Sequence, residues 1–148
     1  MEAHHPIDKT FGEPVPGAAY FQRPGAYVLA VEEGLLAVAE TPKGWFLPGG
    51  GMEPGEDSLL CLCRECAEEL GREVQVGAYL GCAQAYLSHP VYPYFNPVQY
   101  FYAGSLGAPL GEPTEPDHAL ALVPVEQAAE KLYLETQRWA VSQWLEHS

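Results

Sequence analysis

Residues 49–72 constrain this chain more than any other stretch: Gly49-Gly50-Gly51 leads into a helical pattern carrying Glu65, Glu68 and Glu69. A helix turns about 100° per residue, so Glu69 lies about 40° to one side of Glu65 and Glu68 about 60° to the other. Side chains four residues apart on a helix sit roughly 5–6 Å apart at Cβ, which puts the three carboxylates in one patch. Like charges this close repel, and a bound cation removes the repulsion. Carboxylate oxygens suit hard ions such as Mg²⁺, which takes one or two carboxylates together with water and substrate phosphate. Leu59, Leu62, Cys63, Cys66 and Leu70 fall on a separate face and predict a buried stripe. Asp57 or Ser58 is placed to cap the helix and Gly71 to end it, giving a helix over 57–70. A solvated acidic face is the ordinary explanation of a charge run, and the spacing of the neighbouring residues bears on that choice below.

The 148 residues suffice for one domain with a substantial core. The net charge is −13. Such a surface repels polyanions and argues against duplex DNA or long RNA as a partner. A small phosphate compound remains compatible, because metal ions neutralise it locally. No apolar run reaches membrane-spanning length and no signal peptide is visible, so no membrane partner and a cytoplasmic protein are expected. Cys61, Cys63 and Cys66 have a zinc-like spacing. On a helix Cys61 points to the glutamate stripe while Cys63 and Cys66 point to the core, so they read as reduced, buried thiols, with Cys61 beside the metal patch.

Residues 1–24 are rich in Pro and Gly without a period and predict an irregular arm or edge segment, with the domain proper over 25–148. Strands are predicted over 26–31, 35–41 and 45–47, the last stopped by the glycines that follow Pro48. Further strands are predicted over 74–86, bent near Gly81, and over 98–104 and 119–123. A Tyr- and Pro-rich loop covers 87–97 and a Gly/Pro loop 106–116. Helices are predicted over 125–132 and 135–146. Strands around one central helix, with helices at the end, predict an α/β fold with a mixed sheet between helices.

Gly50, Glu56, Arg64, Glu65, Glu68, Glu69 and Gly71 fall on the fixed positions of the signature of the Nudix hydrolases, which this stretch resembles. Two aliphatic positions of that signature are occupied by Cys66 and Arg72. The approach Pro48-Gly49-Gly50 and the segment Val123-Pro124-Val125-Glu126 also look like the family, so the resemblance covers most of 26–145. So many fixed positions in one pattern outweigh a merely solvated helix face. The resemblance implies an α/β/α sandwich and a MutT-like pyrophosphohydrolase that cuts the diphosphate bond of a small nucleoside diphosphate linked to another moiety. Nucleotide sugars, dinucleoside polyphosphates and nucleoside triphosphates are all in range. It implies Mg²⁺ or Mn²⁺ held by Glu65, Glu68, Glu69 and the carbonyl of Gly50. It implies that Glu56 and Arg64 brace loop against helix. Glu65 or Glu68 could serve as general base, as could a residue of Glu115-Pro116-Asp117-His118.

Three other residues are candidates for substrate binding. Lys43 and Arg23 flank the strands nearest the glycine loop and could meet phosphates. Tyr86 opens the aromatic 86–97 segment, which could stack a base, pack as a surface loop or form a homodimer contact. His89 reads as a polar loop residue or, more sharply, as a base. The alternative function is a non-catalytic nucleotide-binding or sensor module on the same fold. Loss of a helix glutamate would favour it; none is lost, and no further domain is visible for a sensor to control. An isomerase or an mRNA-cap-type enzyme is a third alternative, against which the acidic surface counts.

Overall fold

The computed structural model describes residues 5–148; of the arm expected over 1–24, residues 1–4 lie outside the described residues. The elements run β1 (Lys9–Phe11), β2 (Phe21–Glu32), β3 (Leu35–Thr41), β4 (Gly44–Phe46), β5 (Gly49–Gly51), α1 (Ser58–Leu70), β6 (Arg72–Ala85), β7 (Phe95–Pro109), β8 (Ala119–Pro124), α2 (Val125–Lys131) and α3 (Glu135–Glu146). The sheet is mixed, in the order β1-β6-β7-β2-β3-β4, with β5 on β2 and β8 on β3. β2 and β7 run parallel from Phe21↔Phe95 to Ala30↔Gly104. β1 also runs parallel to β6, so part of the arm expected to be irregular is an edge strand. Among the described residues no helix is long and apolar enough to cross a membrane.

β2 shows why the sheet lies between helices. Its side chains alternate between faces. Ala26 and Val28 pack on Cys61, Leu62 and Cys66 of α1. Leu29 joins Phe101 on the opposite face, with Val125, Ala128, Leu132 and Val141 from α2 and α3. A strand buried on both faces is apolar throughout, as 25–31 nearly is.

The helix begins and ends where its capping residues place it. Asp57 accepts from the Leu60 N–H at 2.9 Å, and Gly71 takes the left-handed conformation at φ 63°. Its buried face differs from the expected stripe. Leu59 and Cys63 are exposed, while Cys61, Cys66 and Glu69 are buried. The helix is rolled toward the glutamates because the small Cys61 and Cys66 let it settle on Ala26 and Val28. Cys61 therefore faces the sheet rather than the substrate side.

β2 and β7 run far beyond their predicted ranges, and β6 and β8 exceed theirs by a single residue in length. β7 extends at both ends because β6 and β2 both pair with it. β6 shifts register between Tyr79 and Gly81, the bend expected there. The glycines that were expected to stop β4 instead form β5, antiparallel to β2 through Gly25↔Gly51 and Tyr27↔Gly49.

Candidate active site

The roll of α1 brings its acidic stripe against β5. A side chain at Gly50 would occupy the position of the Glu65 carboxylate, and one at Gly51 would meet the Arg23 guanidinium. Glycine is required at both because other side chains fill the space a Cβ would need. The carbonyl of Gly50 accepts from Cys61 Sγ at 3.3 Å, beside its place opposite Ala26 in the β2–β5 ladder. Burial pushes the Cys61 thiol up to about 11, so it donates as a neutral group.

Arg64 uses all five of its N–H donors on the site. Nε and Nη2 grip the two oxygens of Glu56 at 2.6 and 2.9 Å. Nη2 also reaches the Gly51 carbonyl at 3.0 Å, and Nη1 reaches Glu65 at 2.8 Å and Glu68 at 3.1 Å. The expected brace between loop and helix is present, and it extends to two of the stripe carboxylates. The hydrogen bonds from Arg64 hold the Glu56 carboxyl down at about 2, helped by the Glu53 N–H.

Sequence reasoning could not choose among Glu115, Asp117 and His118. The fold brings Glu115 and His118 to the stripe and leaves Asp117 out, through the end of α1, whose last carbonyls have no partner within the helix. The Glu68 carbonyl accepts from the N–H groups of Thr114 at 2.9 Å and Glu115 at 3.2 Å. Hung on this point, the loop delivers Glu115 to Glu65 and Glu68, with one oxygen of each within 4.8 Å of the others. His118 Nδ1 lies 3.0 Å from Glu69 Oε2 and 3.3 Å from Glu115 Oε2. Asp117 is exposed and joins neither group. Convergent carboxylate oxygens are the donor set that suits Mg²⁺ or Mn²⁺.

Burial sets the titration of the stripe. It pushes the Glu65 carboxyl up to about 7, against the pull of Arg64, and Glu69 up to about 8, against the Gly49 N–H that donates at 2.9 Å. Below about 4.5, the ordinary carboxyl value, both groups are protonated in the folded and unfolded chain alike. Between there and about 8 the unfolded chain ionises while the folded one holds its protons, so folding is progressively opposed. The melting temperature of chelator-treated protein is expected to fall from pH 5 to pH 8. Added Mg²⁺ is expected to restore more of it at pH 8 than at pH 5. Glu56 shifts the opposite way; its contribution is complete above about 4.5 and is lost only below that pH, outside this window. A melting temperature that is flat over pH 5–8 without metal would contradict the assignment.

Beside β5 a cavity of about 800 Å³ opens on the sheet face. Arg23, Gly25 and Tyr27 of β2 and Pro97 and Gln99 of β7 form its floor, in the alternation a strand imposes. Arg23 and Lys43, the two candidates for meeting phosphates, both line it, and Arg138 of α3 adds a third cation that sequence reasoning missed. Three of the seven Lys and Arg side chains thus share one cavity in a strongly acidic protein.

Tyr86 does not line this cavity. Ala85 and Leu87 do, so the intervening residue faces the other way and packs edge-on against Tyr20 at 5.1 Å. The following loop is tied down by His89 Nδ1, which accepts from the N–H of Val91 at 3.0 Å, while Tyr92 stacks on Phe21 at 4.5 Å.

The NUDIX domain family model matches residues 17–145. Over 60 residues the chain is 43% identical to the nucleoside triphosphatase NudI of Enterobacter sp. (strain 638), a stretch covering 38% of this chain and 39% of that protein. The chain spans less than two thirds of the length of the curated relatives it matches, the matched stretches covering 39% and 60% of them. Among solved structures, a NUDIX hydrolase from Nitrosomonas europaea superposes with a TM-score of 0.72 at 13% identity, covering 86% of this chain and 90% of that one. The MutT protein from Methanosarcina mazei Go1 gives 0.70 at 19% identity, covering 88% and 98%.

Proposed function

Since the chain belongs to the NUDIX family, we propose that it is a metal-dependent pyrophosphohydrolase that cleaves the diphosphate bond of a small nucleoside diphosphate derivative or nucleoside triphosphate. The observation that carries this reading is the adjacency of two features across Gly51 and Arg23. On one side Glu65, Glu68 and Glu115 converge; on the other lies the cavity with its three cations. A phosphate chain bridging the two would have its charge matched along its length.

Glu65, Glu68, Glu69 and Glu115 would hold the ions, with the Gly50 carbonyl as a further ligand. Divalent ions bound there would neutralise the phosphate oxygens and make the attacking water more acidic. Arg64 fixes the Glu65 and Glu68 carboxylates, and that positioning is its part in the reaction. The proton of the attacking water goes to Glu68 or Glu115, whose side chains are 35% and 37% exposed against 14% for Glu65 and 6% for Glu69. Arg23, Lys43 and Arg138 receive the phosphates and the linked moiety.

The test is phosphate-product release from nucleoside triphosphates, nucleotide sugars and dinucleoside polyphosphates, each with Mg²⁺, with Mn²⁺ and with chelator. Cleavage that depends on metal and is abolished by Glu68→Gln together with Glu115→Gln is the expected result. Metal-dependent turnover that survives the double substitution would move the chemistry elsewhere. No turnover on any of these substrates would end the hydrolase reading.

A further inference from the structure

Gln99 stands out in the cavity floor because it is polar, only 4% exposed, and faces a space that water or a ligand must fill. Its Oε1 accepts from Thr136 Oγ1 at 2.7 Å. In that arrangement Nε2 is the amide atom turned away from Thr136. Among the described residues no group takes its Nε2, so a donor is left facing the cavity from an almost fully buried side chain. Water meets this donor through the open cavity in the free protein, and a ligand acceptor would take that water's place.

The neighbours of Gln99 leave room for a flat ring. On β2 its partner in register is Gly25, and on β6 it is Ala83. Neither carries a side chain beyond Cβ, so the floor around the amide is low. Phe46 and Tyr133, 5.2 Å apart, stand on the cavity wall and offer apolar contact to an aromatic ring. Arg23, Lys43 and Arg138 account for phosphate, and none of them is needed to meet a base.

We propose that Gln99 reads the nucleobase and selects bases that present a carbonyl oxygen over bases that present an amino group at that point. The inference rests on the hydrolase reading and adds its substrate class. Guanine offers O6, and uracil or thymine offers O4, to a donor such as Nε2. Adenine and cytosine place an exocyclic amino group there instead. Two donors then face each other, and the Gln99 amide stays unpaired. Thr136 is a positioning residue in this scheme: by donating to Oε1 it holds Nε2 toward the cavity.

The experiment compares GTP with ATP and UTP with CTP in Mg²⁺, reading the ratio of kcat/KM within each pair. The Kd of the matching α,β-methylene analogues is measured alongside. The wild-type protein is expected to favour the carbonyl base by about tenfold in each pair, the weight of one net hydrogen bond. Gln99→Glu presents only acceptors and is expected to reverse the preference. Thr136→Val keeps the shape, frees the amide to turn, and is expected to bring both ratios close to one.

Wild-type preference for ATP and CTP, or ratios unchanged in both variants, would overturn the proposal. Failure to hydrolyse any nucleotide would strike the hydrolase reading, while the analogue Kd ratios would still decide the base preference. If Gln99→Glu does not fold, the Thr136→Val ratios decide it.

Discussion

Glu69→Gln is expected to keep its fold and to lose roughly 10²–10³-fold in Mg²⁺-dependent turnover, the scale on which removing one preorganised electrostatic partner acts. The carboxylate is almost fully buried, so deleting it would leave the Gly49 N–H without an acceptor. Glutamine keeps that acceptor at Oε1, removes the charge, and puts an amide donor where Oε2 meets His118 Nδ1. Because burial opposes ionisation of Glu69, the metal-free variant should melt no lower than wild type at pH 8, and higher if the carboxyl were ionised there. Isothermal titration with Mn²⁺ separates causes: loss of turnover with loss of metal affinity identifies a ligand. Wild-type turnover in the variant would remove the stripe from the site altogether.

Arg64→Lys is expected to lower turnover by about 10–100-fold, as loss of an outer partner of a metal ligand does. The substitution preserves charge, so a purely electrostatic role would survive it. Lysine, however, has three donors on one nitrogen, and the five contacts of Arg64 reach Glu56, Glu65, Glu68 and the Gly51 carbonyl in one planar spread. Some of those groups must lose their partner. The loss should appear mainly in kcat, because the cavity cations Arg23, Lys43 and Arg138 are untouched. Titration of Glu56, followed by NMR, should move back toward the ordinary carboxyl range as its grip loosens. Full activity in the lysine variant would mean that the brace is dispensable.

What could be read from the sequence was local. Asp57 and Gly71 mark the ends of α1 because capping is decided by a few adjacent residues. The glutamate stripe was legible because helical spacing alone fixes it. The burial of that helix was not, since its roll depends on which sheet residues it meets; Cys63 and Leu59 were assigned to the core for want of that information. β5 was missed because glycines ordinarily end a strand, whereas here their lack of side chains is what lets Glu65 and Arg23 approach the backbone. Tyr86, the residue after β6, lies between Ala85 and Leu87, which line the cavity, and packs on Tyr20 instead. Gln99 and Arg138 carry no local signal at all; they meet the cavity only because β7 and α3 come together around it.

The loop that delivers Glu115 is suspended from the Glu68 carbonyl chiefly by two backbone amides, at 2.9 and 3.2 Å, with the Thr114 hydroxyl a longer third donor at 3.4 Å. Its reach is therefore a matter of length and of keeping a donor at two positions. Beyond the Glu115 carboxylate and the His118 ring that meets Glu69, its composition is open. Proline already flanks the pair at 113 and 116, where no amide is required, and would break the suspension at 114 or 115. The site is in this sense modular: the helix carries its share of the carboxylates in a fixed pattern, and a segment of set length and otherwise free spelling supplies the last one.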